Sequence, residues 1–282
     1  MTRASRITIS LLAVVAVGGA FLWWRRLPPS PAVAVPIPPA VSATTPHPAP
    51  AAHAPAPAIR YPVPPAQQAR GTIPSPDEAD AYLRNALIDL LGHKAALSFL
   101  HLDSIARRFV ATVNNLDTDG AAAQLWPVNP TAGHFEAETR GSAVVISAKN
   151  AGRYTEFVRF VDNIDDERAV ALYFRLYPML QRAYEELGYP GKYFNDRVVE
   201  VIDNLLATPN VAEAIKVMQI AANDAAPRPG GLYLFADPTL ENSTAGQKIL
   251  LRMGPENAAK VMAKLTDIRR RIVNGVPALV HR

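Results

Sequence analysis

The residues with the most chemical potential stand in two short stretches. "EELGYPGKYFNDR" (185–197) and "GQKILLRMGPEN" (246–257) place Tyr189, Tyr193, Asn195, Arg197, Lys248, Arg252 and Asn257 close to turn-forming glycine and proline. Phenols, amides and cations in such a mixture suit the hydrogen bonding of a ligand or partner, so these seven are the candidate binding residues. No catalytic residue is assigned. A carboxylate pair for glycan hydrolysis is the alternative, and it needs two carboxyl groups about 5–9.5 Å apart across one bond. Glu185 and Glu186 are neighbours on one helix, where side chains diverge by about 100°. Asp165 and Asp166 read as a helix start, and Glu200 and Asp203 as solvated helix positions. The same polar residues also have a structural reading, as helix caps and corner packing.

Other chemistry is thinly provided for. The chain has no cysteine, which removes thiolate nucleophiles, disulfides and Cys-ligated metals. It has no G-x-G-x-x-G, P-loop, H-E-x-x-H or G-x-S-x-G motif. "STAGQK" (243–248) lacks the Gly-Lys-Ser/Thr end of a phosphate loop and reads as a helix start. "NLDTDG" (115–120) matches the opening of a calcium loop, but the twelfth position, where a bidentate Glu is needed, is Trp126. His93, His101, His134 and His281 have no metal-ligand spacing, and His47 and His53 lie among prolines. No metal or cofactor is expected. Arg269, Arg270 and Arg271, with Lys260 and Lys264, fit the end of a helix, where cations favour the dipole.

These residues need a scaffold, and periodicity supplies one. Pro76 begins a helix to Leu91, with Ser75 and Glu78 as a capping box, Tyr82, Leu83, Ala86, Leu87, Leu90 and Leu91 on one face, and Gly92 as its stop. Helices are expected over 94–100 and 103–114, the latter turning Ile105, Phe109, Val110 and Val113 inward. A hairpin is expected at 134–147, turning at Arg140-Gly141. Phe157, Phe160 and Val161 share the face of the next helix. From Asp166, Tyr173, Tyr177, Leu180, Tyr184 and Leu187 recur at helical spacing, with Leu172, Leu176, Met179 and Ala183 beside them. Pro178 should kink this helix. A further helix carries Val198, Val201, Ile202, Leu205 and Leu206. "LYLFADP" (232–238) suits a strand, and two helices, 243–253 and 255–273, meet at Gly254-Pro255.

At the corner itself, Gly188 is expected to take the left-handed position that ends the long helix. Tyr189 should pack on Tyr184, and Pro190 prevents the helix from resuming. Asn195 or Asp196 is expected to cap the next helix. Glu185 and Glu186 lie in a last turn, where the dipole disfavours anions, so Lys192 or Arg197 is expected to offset them.

The 282 residues are unevenly composed. Residues 1–76 contain no acid, while 23 basic and 25 acidic residues follow, so the overall charge of +4 belongs to the N-terminal part. That distribution gives no support to nucleic-acid binding, which concentrates positive charge on the folded domain. After a short tail (1–6), residues 7–24 form an uncharged run bounded by arginines and ending in Trp23-Trp24. Such a run spans roughly 27 Å as a helix, enough for a transmembrane signal-anchor in a lipid bilayer. Residues 25–74 are a Pro/Ala-rich linker; residues 27–76 hold 16 of the 26 prolines and should form a disordered stalk. Its reach is roughly 150 Å at ~3.1 Å per residue. Residues 75–274 are the head, without a visible internal repeat, and 275–282 are a tail. The fold expected is mainly α: an irregular helical bundle with a small β-hairpin, preceded by a transmembrane helix and the stalk.

Three stretches add a resemblance. "ARRFVATVNNL" (106–116), "LYPMLQRAYEELGYPGKYFNDRVVEVIDNLL" (176–206) and "FADPTLENSTAGQKILLRMGPENAAKVMAKL" (235–265) resemble a bacterial family catalogued as domain of unknown function 3014. The resemblance implies an envelope protein with an anchor, a spacer and one C-terminal domain, and brings no activity, cofactor or catalytic residue. The resulting expectation is a single-pass inner-membrane protein with a periplasmic head. The head would be a binding or scaffold module for an envelope protein or cell-wall component, with envelope hydrolase as the alternative.

Overall fold

The computed structural model describes residues 58–68, 76–120, 125–220 and 232–275. The expected anchor (7–24), the linker up to residue 57 and at 69–74, Ser75 of the expected capping box and nearly all of the tail lie outside them. Among the described residues no helix is long and apolar enough to cross a membrane.

Helix α1 (Pro76–Leu91) begins at the expected proline and stops at Gly92, whose φ of +81° is open to glycine without strain. Its buried stripe is Ala79, Leu83 and Ala86, while Tyr82 is exposed. Leu83, Ala86, Leu87 and Leu90 face the core as expected, and Tyr82 departs from the expectation because 79, 83 and 86 share a side on which it does not lie. Helices α2 (His93–Phe99) and α3 (Ile105–Asn115) follow, the latter burying Ile105 and Val110.

The hairpin forms as expected from β1 (Ala137–Arg140) and β2 (Ala143–Ile146), paired Ala137↔Ile146 to Arg140↔Ala143, with Gly141 at φ +61° in the turn. In α4 (Gly152–Asp162) the side chain that reaches the core is Val158. Phe157 and Phe160 sit off that face and cluster with Phe99 of α2, Phe160 stacking on it at 4.4 Å. Aromatic attraction between helices, rather than deep burial, accounts for the phenylalanines there.

Helix α5 (Asp166–Glu186) is the axis of the head. It starts on Asp165, whose side chain accepts the Arg168 amide, and it remains one helix through Pro178. Leu172, Phe174, Leu176, Tyr177, Met179, Leu180 and Tyr184 are all buried, so both expected stripes face inward. Packed around it are α3, α6 (Phe194–Leu206) and α9 (Pro255–Asn274). Phe174 and Phe194 are fully enclosed at the centre. Burial of side chains this large is worth about 1.5–3 kcal/mol each.

A second hairpin joins β3 (Val217–Ile220) to β4 (Leu232–Phe235); the sequence showed only its second strand. The Ile146 amide donates to the Ile215 carbonyl at 2.9 Å, linking the two hairpins. Val217 and Phe235 then pack with Leu240 of α7 (Pro238–Glu241) and Leu251 of α8 (Ala245–Met253) in a smaller core.

Candidate functional site

The corner between α5 and α6 is built as expected on its first side. Gly188 has φ +101°, its amide donates to the Glu185 carbonyl at 3.0 Å, and Tyr189 stacks on Tyr184 with ring centres 4.7 Å apart. Its second side differs. The residue before α6 is Tyr193, which makes no side-chain cap, and neither Asn195 nor Asp196 serves as one. Gln181 of α5 does that work from across the corner. Its Oε1 accepts the Phe194 amide at 2.8 Å and the Tyr177 hydroxyl at 2.6 Å, while its Nε2 donates to the Lys192 carbonyl at 2.7 Å. One amide side chain therefore satisfies a helix end that a local cap would ordinarily serve.

Asn195, freed from capping, is fully buried. It accepts from the Tyr173 hydroxyl at 2.8 Å, and its own amide donates to the Tyr61 carbonyl at 2.8 Å. Asp196 accepts the backbone amides of Arg60 and Tyr61 at 2.9 and 2.8 Å. The Tyr193 hydroxyl accepts the Val63 amide at 2.8 Å. Tyr61 and Val63 belong to the Pro-rich linker, so this described part of the linker lies across the corner as a strap.

That strap corrects the expectation of a disordered stalk for residues 58–68. Val63 is only 2 % exposed, Pro64 has the extended φ −59°, ψ 127° of polyproline II, and Pro65–Gln67 form a 3₁₀ turn packed on α5. The segment has few donors, because proline has none, and those at 60, 61 and 63 are all accepted by the head. Outside this backbone set, Arg60 pairs with Glu200 at 3.2 Å on the surface, and Gln68 donates to the Val63 carbonyl at 2.9 Å.

The last-turn acids are not offset as expected. Glu186 pairs with Arg182 at 2.9 Å and Glu185 accepts from Gln181 at 2.9 Å. Lys192 lies over the Tyr189 ring at 5.4 Å. Arg197 is turned the other way, donating to Asp117, to the Asn114 carbonyl at 3.0 Å and to Glu200 at 3.3 Å. Burial lowers the Arg197 pKa, but the hydrogen bonds and charges of Asp117 and Glu200 more than offset it, and the net shift is upward. The first acid of the calcium-like loop is thereby an anchor for α6.

Lys248, Arg252 and Asn257 make a second joint, around α8 and α9. Lys248 pairs with Glu241 at 2.9 Å, and Glu241 also accepts the Phe235 amide at 2.8 Å. Burial would raise the Glu241 carboxyl, but these bonds and the Lys248 and Arg252 charges hold it below its ordinary value. Arg252 lies over the Phe235 ring at 4.7 Å, its pKa lowered by burial. Asn257 donates to the Ala151 and Met253 carbonyls at 2.9 and 3.0 Å. The buried Asn150 completes the joint by donating to the Arg252 carbonyl at 2.8 Å.

"STAGQK" is a helix start, with a capping box between Thr244 and Gln247. The first amides of α8 point at chain rather than at a phosphate: Ala245 and Gly246 donate to the Thr118 and Leu116 carbonyls, both at 2.7 Å. Of the basic cluster, Arg269 pairs with Asp203, Arg270 with Asp267, Arg271 with Glu167 and Lys264 with Asp166. Among the described residues no group of three His, Asp or Glu could hold a metal ion. Sequence reasoning missed Gln181, Asn150 and the docking role of Asp196; side chains that act on distant backbone leave no local pattern.

The family model described as "Protein of unknown function (DUF3014)" matches residues 105–269, which include both joints and every helix around α5 except α1 and α2. The chain belongs to this family. No curated protein and no solved structure matches the chain.

Proposed function

We propose that the protein is a single-pass, membrane-anchored envelope protein whose head is a binding or scaffold module, held away from the bilayer by its Pro-rich linker. The observation that carries this reading is the strap. The linker does not merely lead to the first helix; it is fastened at the α5–α6 corner by backbone bonds to Tyr193, Asn195 and Asp196. Tension along the linker would reach these bonds before it reached α1, and it would be borne by the best-packed part of the head. A tether attached in this way suits a protein that holds a partner at a distance from its anchor.

The acids considered for hydrolysis support the same choice. Glu185, Glu186, Glu200, Asp203 and Asp166 are each engaged by an amide or a cation of the head. An apolar cleft of about 320 Å³, lined in part by Val211, Ile215, Leu250, Pro255, Ala258 and Met262, is the surface we assign to a partner from the envelope.

The absence of native cysteine makes the test simple. A single cysteine at the exposed Glu256 should react with a membrane-impermeant maleimide once the outer membrane is opened, in a chain that fractionates with membranes. Deletion of residues 7–24 should release the chain from the membrane fraction. Labelling only after cell lysis would overturn the orientation, and an unchanged membrane fraction after the deletion would overturn the anchor. For the cleft, Ala258→Arg should abolish cross-linking to envelope components seen with the unaltered chain; identical cross-links in both would remove the assignment.

A further inference from the structure

The strap is held as a bound peptide is held. It pairs with no strand of either hairpin, and apart from the buried Val63 and the surface Arg60 it offers the head mostly backbone. The amides of Arg60 and Tyr61 lie on the two carboxylate oxygens of Asp196, the Val63 amide on the Tyr193 hydroxyl, and the Tyr61 carbonyl on the Asn195 amide. Residues 62, 64 and 65 are prolines and bring no donor of their own. Preformed polyproline II loses little entropy on binding, which suits such segments to grooves.

Every one of the groups that receive the strap lies within residues 105–269, the span of the family domain, and the strap lies outside it. Receptor and occupant are thus separate parts of the chain. We infer that the α5–α6 corner is a docking site for the Tyr61–Ala66 segment of a second copy, the same segment that fills it within the chain.

The corner does not stand empty without cost. Asn195 is fully buried, and its Nδ2 donates to the Tyr61 carbonyl; with the strap gone this amide loses its acceptor. A buried donor left unpaired is expensive. Removal of Val63 also opens an apolar gap in the main core. An emptied corner therefore favours refilling by a segment that carries the same groups, and a neighbouring copy supplies one.

Two heads that trade straps make the same bonds as two closed heads. Each chain's own strap acts at an effective concentration on the order of millimolar, so the traded share grows with chain concentration. Mutual exchange closes a two-fold pair, the low-cost route to a dimer that swapped elements provide. The Arg60–Glu200 pair then joins two chains instead of one. The exchange depends on neither the anchor nor the apolar cleft.

Cross-linking of the full chain in excess detergent tests the exchange, and the chain has no cysteine of its own to interfere. One preparation carries Arg60→Cys and the other Glu200→Cys. After mixing, a short bismaleimide should join the two kinds of chain well beyond the same-site pairs that collision alone gives. Val63→Asp then reports direction. In the Arg60→Cys chain it spoils the strap that is given, and the mixed product should fall at least about tenfold, the factor that burial of a valine side chain is worth. In the Glu200→Cys chain it frees the corner that receives, and the mixed product should rise. No excess of mixed over same-site product would overturn the inference. So would a change of the same sign, or none, in both chains while α5 and α6 stay protected from hydrogen exchange. Should Val63→Asp cost the head its fold, Tyr61→Pro takes its place, because it removes one strap amide and a partly buried ring and leaves α5 and α6 unaltered. The same two directions are expected of it, and changes of like sign would equally contradict the exchange.

Discussion

The Tyr193 hydroxyl accepts the Val63 amide at 2.8 Å, joining residues 130 positions apart and making this stretch of the linker part of the head. Around this bond the corner is arranged in layers: Gln181 holds the start of α6, Asn195 bridges Tyr173 to the strap, and Asp196 closes over the amides of Arg60 and Tyr61. What looked like a collection of reactive side chains is a fastening.

Asn195→Ala tests the middle layer. The substitution strips partners from the Tyr173 hydroxyl and the Tyr61 carbonyl, and unsatisfied buried groups cost about 1–3 kcal/mol each. A loss of about 2–4 kcal/mol in urea unfolding is expected, with the slope of the transition unchanged. A loss under about 0.5 kcal/mol, typical of surface positions, would show that the network is not cooperative.

Gly246→Ala tests the second joint. A Cβ there would lie 2.3 Å from the Leu205 Cδ2 atom and 3.0 Å from the Leu116 carbonyl oxygen. Leu205 can rotate, but the carbonyl is held by the Gly246 amide itself, so α8 must shift. Destabilisation of about 1–3 kcal/mol is expected in thermal or urea unfolding, in keeping with overpacked cores. Full retention of stability would mean that α8 is not seated as described.

The tyrosines give the pH dependence. Burial raises the phenols of Tyr173, Tyr177 and Tyr184, reinforced for Tyr173 by Tyr177 and Tyr193 and for Tyr177 by Tyr193. A raised folded pKa favours the neutral form in the native state. The stability it contributes is complete below the unfolded value of about 10 and is lost as pH rises through the folded values. Tyrosinate absorbance should therefore rise in two stages, the exposed phenols first and the buried ones together with unfolding. Glu241 works in the opposite direction. Its folded pKa is lowered, so its contribution is present above the ordinary carboxylate range and is lost as acid protonates it. Glu241→Gln should flatten the acid limb of the stability curve.

Much of the helical framework was legible in the sequence, because α5, α6, α8 and α9 carry long apolar periods and glycine or proline punctuation. The Gly188 turn and the Tyr184–Tyr189 contact followed from helix-end chemistry alone. Other features were hidden for physical reasons. The strap is recognised through backbone amides, and these have no signature in residue types. Gln181 and Asn150 act across 13 and 102 positions, beyond any local pattern. Strand β3 alternates weakly because Met218 and Ile220 are exposed, so only its partner β4 had a readable run. Tyr82 was assigned inward because helical spacing fixes a face only to within about one residue's rotation.

The most direct measurement is residue-resolved amide exchange at Arg60, Tyr61 and Val63 in the full chain, compared with the Asp196→Ala variant. The expected result is exchange slowed by at least about tenfold in the unaltered chain, with Arg60 and Tyr61 released in the variant while α5 stays protected. Free-chain exchange at all three amides in the unaltered protein would contradict the docked strap, and with it the view that tether and head are one unit.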